Sequence, residues 1–309
     1  MAHRRFNLFL IIRLAGIVMF IVVLSRTNLE ELWGWLQQIN VWMIVMALLF
    51  QVLLLLFKCI RWYLLNESGF QPKAIYQRFG EFLEAYAIGV VTPGRMGEIL
   101  KAGHASGRTG VVSSGLLVIT ERGFDLSIFF FVAGIVPVLG YLSGLNKAFG
   151  YLLIMISFLG TFLSFSILIF PRVVRVIGNI LKRLKIIAGE QPLIFVLRKS
   201  SDLFYFTILS VIGNLCAFLS FYYTALAVII NLGFIPISGS VALAGVINTI
   251  PVTIMGLGTR DLTLLYVLKE IPQAQVLAFS GLILLVSQIG GGVISLLAGQ
   301  FFLLKAKKS

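Results

Sequence analysis

Thr92-Pro93-Gly94-Arg95-Met96-Gly97-Glu98-Ile99-Leu100-Lys101 interrupts a chain that otherwise reads as membrane. An Arg, a Glu and a Lys this close together are costly in hydrocarbon, and a Pro with two Gly frees backbone groups that lipid cannot hydrogen-bond. The segment must therefore face protein or water. A second stretch far downstream, Pro251-Val252-Thr253-Ile254-Met255-Gly256-Leu257-Gly258-Thr259-Arg260-Asp261, again runs from Pro through paired Gly to Arg and a carboxylate. Two such breaks predict two halves, hinged at Pro93, Gly94, Gly97, Pro251, Gly256 and Gly258.

Composition sets the solvent. Of 309 residues 59% are apolar and 12% charged, where a soluble domain carries about a quarter charged. The reading is an all-α polytopic membrane protein forming a single integral membrane domain over 1–309. The excess of 25 Lys and Arg over 12 Asp and Glu falls mostly in short loops, so it reports topology and contact with anionic lipid rather than nucleic acid. Cys59 and Cys216 each lie inside an apolar run, and His3 and His104 are far apart. Neither a disulfide framework nor a metal site is predicted, and no cofactor. A phosphate-binding G-x-x-x-x-G-K-[ST] loop is missing from the sequence, which argues against ATP hydrolysis by this polypeptide.

Six spans are expected. Residues 6–25 form a retained anchor, 26–40 an interfacial segment carrying Trp33 and Trp35, and 41–57 the second span. Lys58, Arg61, Lys73 and Arg78 then mark the side on which that span emerges. Spans follow at 111–140, 150–170, 203–230 and 272–304. Between them, 79–101 reads as a re-entrant element inserted from the cytoplasmic side, 171–202 as a basic cytoplasmic loop, and 234–258 as a re-entrant element inserted from outside. Eighteen Lys and Arg fall on the inner side of this arrangement, and Arg26, Lys147, Arg260 and Lys269 on the outer. Both termini are thus expected in the cytoplasm. The halves 41–140 and 203–304 then have the same order with opposite sides of insertion, an inverted repeat of the kind transporters use.

Arg95 and Arg260 admit two readings. Each could pair with its neighbour, Glu98 or Asp261, and tidy a loop. Alternatively the two breaks meet near the midplane, and both guanidinium groups, with Lys101 and Arg122, bind an anion such as a lipid phosphate, for which a planar fork is well suited. The carboxylates Glu81, Glu84, Glu98, Glu121, Asp125 and Asp261 either balance these cations or gate them by exchanging a proton for a salt bridge. Glu121 and Asp125 share a helix face, four residues apart, and with Arg122 could also form a purely structural triad. Gly290-Gly291-Gly292 reads as a close-packing face.

The ordered set Arg61-Trp62-Tyr63-Leu64-Leu65, Thr92-Pro93-Gly94-Arg95-Met96-Gly97-Glu98 with Lys101, Glu121-Arg122 with Asp125, and Gly256-Leu257-Gly258-Thr259-Arg260-Asp261 resembles the lysylphosphatidylglycerol synthase transmembrane family, the flippase-like domain of bacteria and archaea. The last motif usually ends Arg-Glu, and Asp261 departs from it by one methylene. The resemblance implies translocation of a lipid with a polar headgroup between leaflets of the cytoplasmic membrane. The expected member stands alone, without the soluble aminoacyl-transfer domain, and is a lipid translocase rather than an enzyme. Phospholipids, aminoacylated phospholipids and polyprenyl-phosphate-linked lipids are the implied substrates, and a homodimer is compatible with the family. Two rivals remain open from the residues: a polyprenyl-phosphate-dependent glycosyltransferase or accessory factor, and a proton-coupled carrier of a small anion.

Overall fold

A computed structural model describes residues 21–22, 25, 27–67, 71–103, 111–141, 145–183, 200–249, 253 and 255–308. The anchor 6–25 lies almost wholly outside them, as do Pro251 and most of the basic loop beyond residue 183. Among the described residues the chain is helical throughout: α1 Leu29–Gln37, α2 Val41–Asn66, α3 Pro72–Val91, a tightly wound segment Pro93–Ile99, α4 Val111–Val138, α5 Lys147–Ile169, α6 Pro171–Arg183, α7 Ser200–Ala227, α8 Phe234–Ile247, α9 Thr259–Val267 and α10 Gln273–Ile283. A widened turn, Leu284–Gly290, joins α10 to α11, Gly291–Lys308. Val41–Asn66, Lys147–Ile169, Asp202–Ala227 and Gln273–Lys307 are long and apolar enough to cross a bilayer. The protein is a multi-pass membrane protein.

One correction concerns α2. The sequence reading ends this span at Phe57, but the helix runs on to Asn66. Lys58 and Arg61 therefore project from a membrane helix instead of a loop. Arg61 is 1% exposed and Arg78, on α3, is fully buried. They are not the solvated charges that mark a membrane face.

Small residues set the helix spacing. A Cβ on Gly134 of α4 would lie 2.7 Å from the Gly150 carbonyl oxygen of α5, and Ser157 Oγ donates to the Ser127 carbonyl oxygen at 2.7 Å. With lipid as apolar as the side chains, such close backbone approach is what holds membrane helices together. The pair α2 and α7 is joined in the same way, Ser220 Oγ donating to the Ala47 carbonyl oxygen at 2.8 Å.

Two hairpins are built into this frame. α3 starts with Pro72 at its first turn and runs antiparallel to α11, with Gly80 against Leu303 and Gly299 against Leu83 and Glu84. It stops at Val91, just past the contact of Val90 with Gly292, about halfway along the long last helix. There Thr92 is extended, its Oγ1 donates to the Gly89 carbonyl oxygen and accepts from the Gly97 N–H at 2.8 Å, and the chain doubles back. Gly97 lies so close to α3 that a Cβ would meet Ile88 and Gly89 backbone at 2.8 Å. α8 begins near the opposite end of the bundle, running antiparallel to α4 with Gly239 against Val136 and Gly245 against Phe129. It ends at Ile247, the chain turns through residues in the left-handed region (Met255 at φ 54°, Gly256 at 76°, Gly258 at 83°), and α9 returns along it. The two tips thus approach the same depth from opposite ends.

Gly97→Ala is expected to destabilise the protein by about 1–3 kcal/mol, because backbone rather than a movable side chain fills the space. Gly103, with nothing within 4 Å of a Cβ, is the control. Thermal unfolding of the detergent-solubilised variants should show a lowered midpoint for the first and none for the second.

Candidate functional site

A cavity of about 190 Å³ lies where the tips face each other. The first hairpin contributes Tyr86, Val90, Thr92 and Arg95, and the second Val241, Ala244, Asn248, Thr253, Gly256 and Arg260. α2, α4 and α7 supply Gln51 and Lys58, Arg122 and Asp125, and Asn214. The last helix adds Ser287 and Gln288 from its widened turn, where the backbone carbonyl of Ser287 accepts from Gln51 Nε2 at 3.4 Å. Such turns within helices recur at functional sites because they aim side chains and free carbonyls off the regular ladder.

Behind the first hairpin's wall runs a chain of alternating charges. Asp125 takes Lys58 Nζ at 2.9 Å and Arg61 Nη1 at 2.7 Å. The same guanidinium reaches Glu121 at 2.8 Å and donates to Ser210 Oγ at 2.7 Å. Glu121 takes Lys101 Nζ at 2.6 Å, Lys101 lies 3.5 Å from Glu98, and Glu98 takes Arg122 at 3.0 Å with Arg95 at 3.9 Å. Arg95, whose backbone is left-handed at φ 55°, also stacks over the Tyr86 ring and donates to Gln288 Oε1 at 3.3 Å. The inner members are about 1% exposed, whereas Arg95 and Arg122 are 30% and 31% exposed. The accessible ends of the chain are therefore cations facing the cavity.

The second hairpin is pinned by its own carboxylate. Asp261 Oδ2 accepts the Gly258 N–H at 2.8 Å, capping α9, while its other oxygen accepts from Ser280 Oγ. Arg260 lies 3.5 Å from Asp261, donates to Ser280 Oγ at 2.7 Å and to the Met255 carbonyl oxygen at 3.4 Å. Thr259 Oγ1 donates to Asn248 Oδ1 at 2.6 Å, holding the start of the return arm against the end of α8.

Of the residues singled out in the sequence, Arg95, Arg122, Arg260 and Asp125 line the cavity. Lys101 does not: it is 1% exposed, over the rings of Phe82 and Trp62. Glu98 and Glu121 are its partners in the ion chain, and Asp261 is a buried cap. Glu81 sits midway along α3, paired with Arg78 and accepting from Gln77. Glu84 is half-buried against α11 and has no ion-pair partner among the described residues. Pro93, Gly94 and Gly97 belong to the tight segment and Gly256 and Gly258 to the second turn, while Pro251 is outside the described residues. Sequence reasoning passed over Lys58, Arg61, Asn214, Gln51, Tyr86 and Gln288 as site residues. The available signal was Gln51, an amide in the middle of an apolar run, and Asn214 likewise.

The fold and site define a class: a polytopic membrane protein in which two broken hairpins enclose a cation-walled cavity at mid-depth. Within that class the chain belongs to the family described as the lysylphosphatidylglycerol synthase TM region, whose model matches residues 9–295. No curated protein matches it.

Arg61 serves three acceptors on two helices with one planar fork, a geometry that Lys cannot reproduce. Arg61→Ala leaves buried Glu121 and Asp125 short of a partner and should cost about 3–5 kcal/mol. Arg61→Lys should recover less than half of that in thermal unfolding.

Proposed function

We propose that this protein is a lipid flippase or scramblase. It moves an anionic or phosphate-containing lipid between leaflets, the headgroup passing through the cavity while the acyl chains stay in the bilayer. The observation that carries this reading is the convergence of Arg95 and Arg260, one from each hairpin, and of Arg122 from α4 on one cavity at the depth where a crossing headgroup most needs counter-charge. Membership of the family supports it. In this reading Glu98, shared by Arg95, Arg122 and Lys101, yields its cations to the phosphate as the headgroup arrives. Catalysis is not part of the proposal. The site of action is the cytoplasmic membrane, with both termini inside, and a homodimer is the assembly to test by mass in detergent.

A second reading, a carrier of a small soluble anion, draws on the size of the cavity, which suits a phosphate better than a whole lipid. Proteoliposomes separate the two. Leaflet-resolved transfer of labelled phosphatidylglycerol and of a polyprenyl phosphate is expected with the wild type. Arg95→Ala and Arg122→Ala each remove a charged hydrogen bond of about 1.5–3 kcal/mol, so transfer should slow by roughly tenfold to a hundredfold. Uptake of inorganic phosphate with no lipid transfer would favour the carrier. Lipid transfer that both variants leave unchanged, with the proteins shown to be folded, would remove these residues from the site.

A further inference from the structure

We propose that α6 is a docking surface for the anionic lipid of one leaflet. The helix lies along the membrane face at which α5 ends, its valine and isoleucine stripe set among acyl chains and its arginines on lipid phosphates. Among the described residues α6 contributes none to the cavity lining, so the inference stands apart from the translocation reading.

The backbone puts α6 at the interface. With 23 residues α5 measures about 35 Å, enough to cross a hydrocarbon core of roughly 30 Å. It stops because Phe170 is extended, as the residue ahead of a proline prefers, and Pro171 opens a new helix whose first turn has no use for the missing N–H. Val173 N–H donates to the Phe170 carbonyl oxygen at 3.1 Å, so the new helix starts directly at the end of the span. The segment that reads in the sequence as a basic loop is therefore helical from Pro171 to Arg183, and it begins where the hydrocarbon ends.

Its residues are then sorted by side. Projected from the sequence at about 3.6 residues per turn, Arg172, Arg175, Asn179, Lys182 and Arg183 fall in an arc of about 100°, and the Val, Ile and Leu residues in an opposite arc of about 160°. No Asp or Glu occurs in the helix. Arg172, Arg175 and Arg183 are exposed, and among the described residues none of the three pairs with a carboxylate. The apolar side is only partly covered by protein. α6 touches α4 and α5, and Val173 and Ile177 are half-buried, whereas Val176 and Ile180 remain 56% and 50% exposed. Phe162, Ile169 and Phe170 of the adjoining span are exposed as well, so the bare edge prolongs a surface that lipid already covers.

Charge and position together name the occupant. An apolar stripe flanked by basic residues sinks about 5–10 Å into the boundary between headgroups and acyl chains, which brings the guanidinium forks level with phosphate oxygens they can bind in pairs. Each basic residue near an anionic surface strengthens adhesion by roughly fivefold. A zwitterionic surface offers the apolar contribution alone.

Site-directed fluorescence on the full chain in lipid nanodiscs tests this. A bimane label is placed at Ile180→Cys or, for the basic side, at Asn179→Cys; Cys59 and Cys216 are buried, so the wild type is the labelling control. The discs are phosphatidylcholine with or without phosphatidylglycerol, and the quenchers are a nitroxide-bearing lipid and aqueous acrylamide. With phosphatidylglycerol present, the label at 180 should be quenched by the lipid and shielded from acrylamide, and the label at 179 the reverse. Without it, or in Arg172→Gln/Arg175→Gln with an unchanged unfolding midpoint, the ratio of lipid to aqueous quenching at 180 should fall at least about fivefold. Arg95→Ala should leave that ratio as it was, which separates leaflet contact from occupancy of the cavity, and a fall there overturns the assignment to α6. Equal ratios with and without phosphatidylglycerol overturn the anionic-lipid assignment. Quenching at 180 by acrylamide in every disc overturns docking on the leaflet, and shielding from both quenchers overturns it in favour of a protein partner, a second copy of this chain included.

Discussion

Arg61 holds Glu121 with one edge of its guanidinium and Asp125 with the other, and the placement of everything polar in the bundle follows from that clamp. At this depth no charge is stable without its neighbour, since desolvation costs several kcal/mol per ion and only close opposite charge offsets it. Each pairing therefore dictates the next. Asp125 draws in Lys58 and Asn214, Glu121 draws in Lys101, and Lys101 brings Glu98 and with it the return arm of the first hairpin. Helices α2, α4 and α7 and the segment after Thr92 are registered against one another by these bonds more than by apolar contact, which lipid could replace at little loss.

The same low-dielectric logic explains where the chain is irregular. Broken backbone is tolerated at membrane depth only where protein or a polar cavity can satisfy it. Both breaks obey this. Thr92 Oγ1 takes up the Gly97 N–H, and Asp261 takes up the Gly258 N–H. Glycine is required where the tips pass close to a helix or enter the left-handed region, as Gly97 does against Ile88 and Gly256 does at φ 76° beside Asn248. Because the cavity has one wall from each hairpin, any shift of one hairpin against the other changes the spacing between Arg95 and Arg260.

The ion chain also sets an asymmetry between the walls. On the first hairpin's side the cations are partly exposed and linked through shared carboxylates, so one can be released without stranding another. On the second, Arg260 is held among Ser280, Asp261 and a backbone carbonyl and is nearly sealed.

The sequence by itself determined the solvent, the two breaks and the residues that had to be buried with company. Charges and glycines inside apolar runs are conspicuous because hydrocarbon makes them expensive, and so Arg95, Arg122, Asp125 and Arg260 could be named from the chain alone. What it left undecided was direction and partnership. Lys58 and Arg61 follow an apolar run in the manner of loop charges, and only the continuation of α2 to Asn66 brings them inside. Lys101 and Arg95 look alike as cations in one motif, yet one points into the ion chain and the other into the cavity. That division depends on which oxygens across 20 to 200 residues of sequence come within about 3 Å, a distance that local propensity and periodicity do not encode and tertiary packing alone decides.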